Sequence, residues 1–560
     1  MNRLNRFLAA SLVACLVAFT SACAQMPRSG DIKTGPNVEA GLETDYLYYS
    51  PAGPADGATE EEILLGFLNS GTGPQNDYEV ARSFLSKEFN AAWNPNQEVL
   101  IQDGRPTVTL ADNQTATVVV PVSARINERG IYESLPAGST RVLQIGLTKE
   151  AGNWRINFAP NLTTVIRPVF DVVFKAYAVY FFDNQQKHLV PDVRWFPSRA
   201  STSTRLVSAL LTGPSPWLDQ AVKNSIPTGT RLTLSSVTVA DGVATVDLSS
   251  RALRASAINK KLLQVQIRET LLQLSSVYSV KVTIERGALQ DPSWSNSNNQ
   301  IQMALPVALS AEGLERIGTA QTTMIDGAET FLQQVKAKSF GLNVDEKVLA
   351  ISGAGGVYLA KLNRPTEAPV ILAAGTDYLA PVVDADGYTW AVPRKGNKPI
   401  LLFDEDGQRI PFAGNWLSGS DRIAFSISSE GSRVVAVTGT HSNSQVRVSA
   451  IIRDDTGVPL GLGPSISPIN AQNAFSATWL DSIQIGILES QVSQYIQPIV
   501  AMVGGDSQRL PTFTNGSSIV GSGQASSIFI LDSFGVLYQY RGSGWVKVRD
   551  GVEELRFPGN

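Results

Sequence analysis

The residues best suited to chemistry are few and far apart in this chain of 560 residues. Its two histidines, His188 and His441, are isolated, and a metal centre needs several ligands close together in space. We find no HExxH, phosphate-binding loop or GxSxG motif, and no SxxK motif with its partner motifs. A Ser–His–Asp triad requires no fixed spacing and stays open, but His188 is better interpreted as a turn residue, and Asp454 and Asp455 as loop charges. We therefore expect no catalytic, cofactor-binding or metal-binding residues, and predict that the chain is not an enzyme.

The other reactive side chains are two cysteines, Cys15 and Cys23. Cys23 follows the sequence TSA at residues 20–22, which ends an apolar run over residues 7–19 behind a basic N-terminus. This arrangement resembles a bacterial lipobox, although Thr20 replaces the usual Leu, Val or Ile. The resemblance implies cleavage before Cys23 and its modification by S-diacylglyceryl and N-acyl (palmitate-type) chains. The alternative is an ordinary signal peptide with an incidental cysteine.

The N-terminal segments are thus predicted as a lipoprotein signal peptide over residues 1–22 and a flexible tether over residues 23–57, rich in Pro and Gly. No stretch reaches 18 apolar residues, so we expect membrane attachment by lipid alone. The net charge is −4, and we find no basic run. Nucleic acid is therefore not expected as a partner, and neither is a polybasic contact with anionic lipid.

An N-terminal α+β domain is predicted for residues 58–165. Thr59 before three glutamates at 60–62 forms a capping box, and capping is favoured over a metal or acid–base role. A second capping pattern at 76–79 predicts another amphipathic helix that reaches toward Trp93. Strand-like runs follow at residues 106–110, 115–123, 140–148 and 154–158. This order of helices and then strands is similar to cone-shaped folds of the nuclear-transport-factor type.

A second α+β domain is predicted for residues 170–290. A helix over residues 205–211 ends at Gly213-Pro214, where glycine can take the left-handed conformation and proline cannot continue the helix. Asp241-Gly242 is a two-residue hairpin turn that requires positive φ. A later helix precedes a strand over residues 280–284. Its apolar positions, at helical spacing, are Leu263, Ile267, Leu271 and Leu274.

Pairing across the Asp-Gly turn places Val239 opposite Ala244 and Val237 opposite Val246, and with Leu248 these residues form one predicted apolar face. The ordered motifs of the domain are VYF, LVP, LLTGP, IPTGT and DGVATVDLS. Together they look like the GerMN domain of spore-germination proteins and actinobacterial lipoproteins. That resemblance implies a noncatalytic domain at the cell envelope.

The third region, residues 310–560, follows a polar linker at 290–299 and repeats short strands around small turns. The turn centres are Gly355, Gly387, Gly431, Asp481 and Gly535, at spacings of 32, 44, 50 and 54 residues. The mean spacing matches one four-stranded propeller blade of about 40–50 residues and predicts a β-propeller of five or six blades. A pair of β-sandwiches is the alternative. Asp384 and Asp386 have calcium-loop spacing, but no bidentate Glu follows, so they are predicted as turn residues.

The order of lipobox, GerMN domain and propeller resembles the LpqB family of actinobacterial lipoproteins. The resemblance implies a lipoprotein anchored on the extracytoplasmic face of the cell membrane. It also implies binding to the extracellular domain of the sensor kinase MtrB and modulation of MtrA–MtrB two-component signalling, with effects on cell wall and division. It supplies no motif that marks the residues which contact the kinase.

The alternative hypothesis is a cell-wall scaffold that binds glycan or peptidoglycan through the propeller. Four tryptophans of the third region could stack on sugars, although such residues are more often blade core. They are Trp390, Trp416, Trp479 and Trp545. Exposed coplanar rings would favour a sugar ligand, whereas an exposed apolar patch with a polar rim would favour a protein partner.

Overall fold

A computed structural model describes residues 51–111, 114–199, 201–290, 305–318, 321–522 and 527–559. These residues form three domains: an N-terminal domain (residues 51–166), a middle domain (167–290) and a third domain (305–559). The multidomain α+β and all-β class predicted from the sequence is confirmed. No helix in the described ranges is long and apolar enough to cross a membrane.

The N-terminal domain packs three helices against a seven-stranded sheet of order β6-β5-β3-β1-β7, with β2 and β4 also paired to β3. Its helices are α1 (Glu60–Ser70), α2 (Glu79–Ser83) and α3 (Lys87–Ala92). Its strands are β1 (Glu98–Gln102), β2 (Thr107–Ala111), β3 (Thr115–Asn127), β4 (Tyr132–Ser134), β5 (Thr140–Glu150), β6 (Asn153–Phe158) and β7 (Thr163–Ile166). The pairs are antiparallel except β1–β7, which is parallel.

The predicted capping box at the start of α1 is confirmed. Glu62 N donates to Thr59 Oγ1 at 3.3 Å, and Thr59 N donates to Glu62 Oε2 at 2.8 Å. The glutamates at 60–62 therefore serve the helix N-terminus, where negative charge is favourable. The apolar face of α1, which includes Leu64 and Phe67, is buried against the sheet.

The prediction of one continuous second helix is wrong, because the chain forms two short helices, α2 and α3, in its place. Between them Leu85 forms a bridge with Ile156 of β6, and Ser86 N donates to the Ile156 carbonyl at 2.7 Å. Ser86 then caps α3 by accepting from Phe89 N at 3.2 Å. A contact with a distant strand, absent from the local pattern, therefore ends the first helix.

The predicted tether is also too long at its C-terminal end. Gly57 N donates to Asn153 Oδ1 at 3.0 Å, and Pro51 lies against Gly73. Residues 51–57 thus pack on the N-terminal domain, which shortens the segment available as a spacer.

The middle domain contains two small sheets and two long helices, preceded by the short helix α4 (Arg167–Val173). Its strands are β8 (Phe174–Asp183), β9 (Leu189–Pro197), β10 (Val222–Lys223), β11 (Thr238–Ala240), β12 (Val243–Leu248), β13 (Ser279–Ile284) and β14 (Gly287–Ala288). Its long helices are α5 (Thr202–Thr212) and α6 (Ala257–Leu271). One sheet has the order β10-β8-β9 and the other β11-β12-β13-β14, with α6 connecting the parallel strands β12 and β13.

The local signals of this domain are confirmed. Helix α5 ends at Gly213, which has φ +100°, and Val239 pairs with Ala244 across a turn in which Asp241 and Gly242 both have positive φ. Val237, Ala244, Val246 and Leu248 are buried in one core cluster. Val239 departs from the predicted apolar face and stays 37 % exposed because β11 is an edge strand.

Replacing Gly242 with valine should destabilise the chain by about 1–3 kcal/mol, because Gly242 has φ +68° and β-branched residues disfavour that conformation. A new Cβ would also lie 2.1 Å from the Tyr278 ring, which would have to rotate away. Urea unfolding of a chain that begins at residue 51 measures the loss of unfolding free energy. Gly242→Asn is the matched control, since asparagine tolerates positive φ. Equal stability of the valine and asparagine variants would contradict the turn assignment.

The third domain is a six-bladed propeller, which settles the choice between five or six blades and excludes the sandwich alternative. Blade 1 contains β15 (Val307–Ser310), β16 (Gly313–Ile317) and β17 (Thr322–Met324), and helix α7 (Glu329–Val335) follows it. Blade 2 contains β18 (Ser339–Leu342), β19 (Val348–Ser352), β20 (Gly356–Lys361) and β21 (Val370–Ala374), and blade 3 contains β22 (Val382–Val383), β23 (Thr389–Ala391), β24 (Leu401–Phe403) and β25 (Arg409–Ile410). Blade 4 contains β26 (Arg422–Ile427), β27 (Arg433–Thr440), β28 (Asn443–Arg453) and β29 (Pro459–Ile466). Blade 5 contains β30 (Ala474–Trp479), β31 (Gln484–Ser490), β32 (Tyr495–Met502), β33 (Ser507–Arg509) and β34 (Phe513–Thr514), and blade 6 contains β35 (Gly516–Val520), β36 (Phe529–Asp532), β37 (Leu537–Tyr540) and β38 (Trp545–Arg549).

The last strand of the chain closes the ring. Strand β39 (Val552–Arg556) pairs with β15 and is thereby the innermost strand of blade 1. Arg549 of blade 6 also forms an ion pair with Glu315 of blade 1, with Nη1 at 2.5 Å from Oε2. The pKa of Glu315 is lowered, chiefly by the hydrogen bond from Arg549. Both ends of the propeller sequence therefore build one blade.

Candidate functional site

The residues singled out for chemistry do not form a common site. Cys23 lies outside the described residues. His188 lies at the turn between β8 and β9, where its carbonyl oxygen accepts from Asp183 N at 2.9 Å, and His441 lies in an exposed turn of the propeller. Among the residues with described positions, no three His, Cys, Asp or Glu side chains are arranged to hold a metal ion.

Asp384 and Asp386 lie in the turn between β22 and β23, which confirms their predicted role as turn residues. Asp384 Oδ1 accepts from the backbone nitrogens of Asp386 at 3.1 Å and Tyr388 at 2.9 Å. Asp384 Oδ2 pairs with Arg453 Nη2 at 2.6 Å and accepts from Trp390 Nε1 at 2.9 Å. Arg453 Nη1 also pairs with Asp386 Oδ2 at 3.2 Å. One buried guanidinium thus pairs with both carboxylates, and Lys187 Nζ lies 3.8 Å from Asp386 Oδ1.

Asp454 and Asp455 are loop residues, as predicted. Asp454 Oδ1 accepts from the backbone nitrogens of Thr456 at 2.9 Å and Val458 at 3.0 Å, and these hydrogen bonds hold the turn. Asp455 instead contacts the middle domain through an ion pair with Lys223 at 2.7 Å. Neither carboxylate is placed for acid–base chemistry.

The four tryptophans do not form a platform for sugars. Trp390 and Trp479 are buried in the blade cores. Trp416 and Trp545 are half-buried, and Trp545 packs its ring near Phe513 while its Nε1 donates to a backbone carbonyl. The prediction that such residues are blade core is confirmed for Trp390 and Trp479.

The N-terminal and middle domains contact one face of the propeller, which we call the docked face. It carries the turns that join the third and fourth strands of blades 4 and 5. The polar contacts include Arg167–Asp506 at 3.0 Å, Trp195 Nε1 to Gly504 O at 2.9 Å, Asn184 Nδ2 to Arg453 O at 2.6 Å, Gln185 Nε2 to Thr456 O at 2.6 Å and Lys223–Asp455 at 2.7 Å. Because antiparallel strands alternate in direction, the turns between second and third strands lie on the opposite face, which we call the free face.

A cavity of about 500 Å³ lies where the three domains meet on the docked face. Its walls are largely apolar and include Tyr132 of the N-terminal domain, Trp217 of the middle domain and Val503 of the propeller. Apolar cavities at domain junctions are common ligand sites. This cavity offers shape and apolar surface, and its one buried carboxylate, Asp192, is already paired.

That pairing lies within the middle domain and orients Arg194 toward the N-terminal domain. Asp192 Oδ2 lies 2.6 Å from Arg194 Nη2, and Ser215 Oγ donates to Asp192 Oδ1 at 2.7 Å. Arg194 Nη1 reaches across to donate to the Arg129 carbonyl at 3.0 Å. The ion pair is almost fully buried, and the hydrogen bond from Arg194 to the Arg129 carbonyl links the two domains.

The free face carries an exposed apolar patch that the sequence patterns did not reveal. We call it the turn patch; it consists of Val492, Tyr495 and Phe534, which are 83 %, 54 % and 75 % exposed. The two turns are linked through Asn515, whose N donates to Gln494 O at 3.0 Å and whose carbonyl accepts from Ser533 N at 2.8 Å. The residues next to the turn patch in the two turns are exposed and polar: Gln491, Ser493, Gln494 and Ser533. A signal did exist in the sequence, since Phe534 occupies a tight turn where a polar residue is usual.

The central channel of the propeller contains a cavity of about 370 Å³. It is lined along the innermost strands of the blades, from Ser339 at the start of β18 to Arg556 at the end of β39. First strands begin at the free face, because the preceding connection comes from the fourth strand of the previous blade. One end of the channel therefore opens on the face that carries the turn patch.

Three family models match successive parts of the chain. The model described as "Lipoprotein LpqB, N-terminal domain" matches residues 53–171. The model described as "Sporulation and spore germination" matches residues 178–289, which is the region that resembles a GerMN domain. The model described as "Lipoprotein LpqB beta-propeller domain" matches residues 312–558.

Full-length relatives agree with this order of domains. The chain is 26 % identical to Lipoprotein LpqB of Bifidobacterium longum, over 84 % of this chain and 83 % of the relative. It is 24 % identical to Lipoprotein LpqB of Cutibacterium acnes, over 98 % of both chains. It is 25 % identical to Lipoprotein LpqB of Thermobifida fusca, over 93 % of both chains. The chain belongs to the LpqB family of lipoproteins.

Proposed function

We propose that the chain is a noncatalytic lipoprotein, anchored through Cys23 on the extracytoplasmic face of the cell membrane, that binds the extracellular domain of a sensor histidine kinase. The kinase is of the MtrB type, so binding modulates MtrA–MtrB signalling and thereby cell wall and division. The turn patch is the observation that carries the protein-binding role. It is apolar, rimmed by polar residues and located on the free face of the propeller.

The residues of the turn patch suit a protein partner better than a glycan. Aromatic residues at the centre of a patch supply most of the binding energy at protein interfaces, and Tyr495 and Phe534 can take this role. Sugar binding by ring stacking would instead need exposed, coplanar rings, and the predicted tryptophans are buried or half-buried.

A lipid anchor makes modest affinity sufficient. The tether predicted from the sequence would confine the propeller near membrane partners, and short tethers often give an effective concentration in the millimolar range. An interface that binds only in the micromolar range would then be largely occupied. An untethered chain should consequently restore signalling poorly unless it is overproduced.

The test is direct binding between a soluble chain that begins at residue 51 and the purified extracellular domain of the kinase, measured by calorimetry. We expect a micromolar complex, and we expect Val492→Ser with Phe534→Ser to weaken it at least tenfold, about 1.4 kcal/mol or more. Both side chains are exposed, so the double variant should fold normally.

The matched control is Val370→Ser with Ile371→Ser, which removes two exposed apolar side chains from the outer strand of blade 2. The control should bind like the unaltered chain. Absence of binding at high micromolar concentration, with both partners folded, would refute the adaptor role and favour the cell-wall scaffold. An equal loss of affinity in both double variants would show that the kinase does not bind specifically at the turn patch.

A further inference from the structure

We propose that the cleft between the N-terminal and middle domains binds a small oxyanion, a carboxylate or phosphate group, through Arg205 and Arg129. The cleft encloses a cavity of about 280 Å³, lined by both arginines together with Asn96, Phe196, Ser208 and Thr212. Nothing in the proposed adaptor role requires this site, and the inference stands independently of it.

Arg205 is the centre of the site. Its Nη2 donates to Asn96 Oδ1, and its guanidinium lies over the Phe196 ring with 5.7 Å to the centroid. No carboxylate lies within ion-pair distance of it in the described part of the chain. Burial, reinforced by the nearby charge of Arg199, lowers the pKa of Arg205 to about 10. Arg205 is therefore a partly buried cation with no carboxylate in ion-pair contact, although Asp77 acts on it from a greater distance.

Arg129 provides a second cation on the other wall of the cleft. Its Nη2 donates to two backbone carbonyls, Gly213 O at 3.0 Å and Pro214 O at 2.7 Å, and its buried Nε has no hydrogen-bond partner in the described structure. Burial and the charge of Arg194 lower the pKa of Arg129. Carbonyl partners satisfy donors but leave the charge uncompensated.

The acidic groups of the region compensate these charges only in part. Asp219 interacts electrostatically with Arg129, but its side chain is exposed to solvent. Asp192 is already bound by Arg194 and Ser215. Asp77 pairs with Arg82 at 2.6 Å. Glu128 lines the cleft but is exposed, so water screens its charge. An incompletely compensated pair of guanidinium groups in a half-enclosed cavity is an environment that favours a bound anion.

A rigid element positions the donors. Arg205, Ser208, Ala209 and Thr212 recur on one face of α5 at the spacing of successive helical turns. The Ser208 side chain is exposed at the cleft, where its hydroxyl can donate to an anion held by Arg205. Planar, multi-donor guanidinium groups suit carboxylate and phosphate oxygens, and the adjoining Phe196 and Ala209 accept an apolar part of the ligand. Because the walls come from two domains, an occupant would also stabilise their contact.

The experiment measures thermal unfolding of the soluble chain from residue 51 while inorganic phosphate or acetate is titrated at constant ionic strength, with chloride as the balancing salt. A ligand that binds only the folded state raises the melting temperature in a saturable manner. We expect such a rise with at least one of the two anions. The anion that binds with the higher affinity identifies phosphate or carboxylate as the preferred group. An identical rise with chloride alone would mean general screening and would overturn the proposal.

Variants of two residues separate binding from folding. Arg205→Gln should weaken the affinity for the anion at least tenfold. Arg205→Lys keeps the charge and should therefore retain the affinity within a few-fold. Ser208→Glu, at an exposed helix position, should place a carboxylate in the cleft, raise the melting temperature and remove the response to added anion. The matched control is Arg268→Gln, which removes an arginine that already pairs with Glu269. Unchanged anion binding in both Arg205→Gln and Ser208→Glu would overturn the assignment.

Discussion

Replacing Arg453 with methionine should destabilise the chain by about 3–5 kcal/mol, because it leaves the buried carboxylate of Asp384 without its counter-charge. The side chains of Arg453 and Asp384 are 6 % and 0 % exposed. Asp384 would retain only neutral donors, namely Trp390 Nε1 and two backbone N–H groups. Methionine has a similar length and fills the space, so the loss should arise from charge rather than from a cavity.

Arg453 also connects turns that are distant in the sequence. Its guanidinium donates to Gly431 O in blade 4 at 2.8 Å and to Gly457 O at 2.8 Å, and its carbonyl accepts from Asn184 of the middle domain. Removing the guanidinium leaves these two carbonyls without their donors near the docked face. Loss of these hydrogen bonds should weaken the contact between the propeller and the middle domain. Gln185, which contacts the adjacent turn, should then become more accessible to solvent.

Urea unfolding, followed by tryptophan fluorescence, measures this loss. The matched control is Arg447→Met on the same strand, a half-buried residue whose partners are Gln445 and the Trp416 ring. It should cost less than about 1 kcal/mol. Asp384→Asn combined with Arg453→Met should cost less than the sum of the single changes, because the two residues act as one pair. A loss below 1 kcal/mol for Arg453→Met would refute the electrostatic explanation.

Local chemistry in the sequence was sufficient for several helix ends and tight turns. The capping pattern predicted at residues 76–79 is wrong, because α2 begins after Tyr78 with no side-chain cap. The capping box at Thr59, the helix stop at Gly213 and the turn at Asp241-Gly242 depend on contacts within four residues, and all are present. Such signals persist in any tertiary context because their hydrogen bonds close within the segment itself.

Elements that depend on distant partners were missed. Strands β1, β4 and β7 were not predicted, and β1 and β7 are buried with almost no alternation between faces. A strand covered on both faces lacks the period of two that identifies a half-exposed strand. The break between α2 and α3 has the same origin, since the bond of Ser86 to Ile156 is set by the sheet.

The number of blades was ambiguous because equivalent-looking turns are not equivalent in the fold. Gly387, Gly431 and Asp481 lie in turns between first and second strands, whereas Gly355 and Gly535 lie in turns between second and third strands. Their spacing therefore mixes two positions within a blade and drifts. The closing strand β39 adds a further difficulty, because blade 1 is assembled from both ends of the propeller sequence.

The functional surfaces were the least predictable part. The turn patch depends on two turns that come together only when blades 5 and 6 pack, although Val492 and Phe534 are 42 residues apart. Arg205 and Arg129 likewise line one cavity from two different domains. Neither pair has a motif, because its members belong to separate elements whose spacing the chemistry does not constrain.

Replacing Cys23 with alanine should abolish lipid attachment and release the chain from the membrane. The thiol is the only group at the predicted cleavage site that can form a thioether to a diacylglyceryl group, and modification at Cys23 is what the lipobox resemblance implies. Each buried CH₂ of an acyl chain contributes about 0.8 kcal/mol, and two or more chains hold a protein stably on a bilayer. Loss of all the chains should therefore change the location of the protein from membrane to soluble fraction. The adaptor role should fail with it, since the raised effective concentration depends on the anchor.

Metabolic labelling with a fatty-acid analogue, followed by membrane fractionation, measures this change. Cys15→Ala is the matched control, because Cys15 lies within the apolar run of the predicted signal peptide and would be removed on cleavage. That variant should be labelled and fractionate like the unaltered chain. Labelling that persists in Cys23→Ala and disappears in Cys15→Ala would show that the lipid is attached to Cys15, and the prediction for Cys23 would be wrong. Labelling that persists in both single variants would show that the lipid is attached elsewhere and refute the lipobox interpretation.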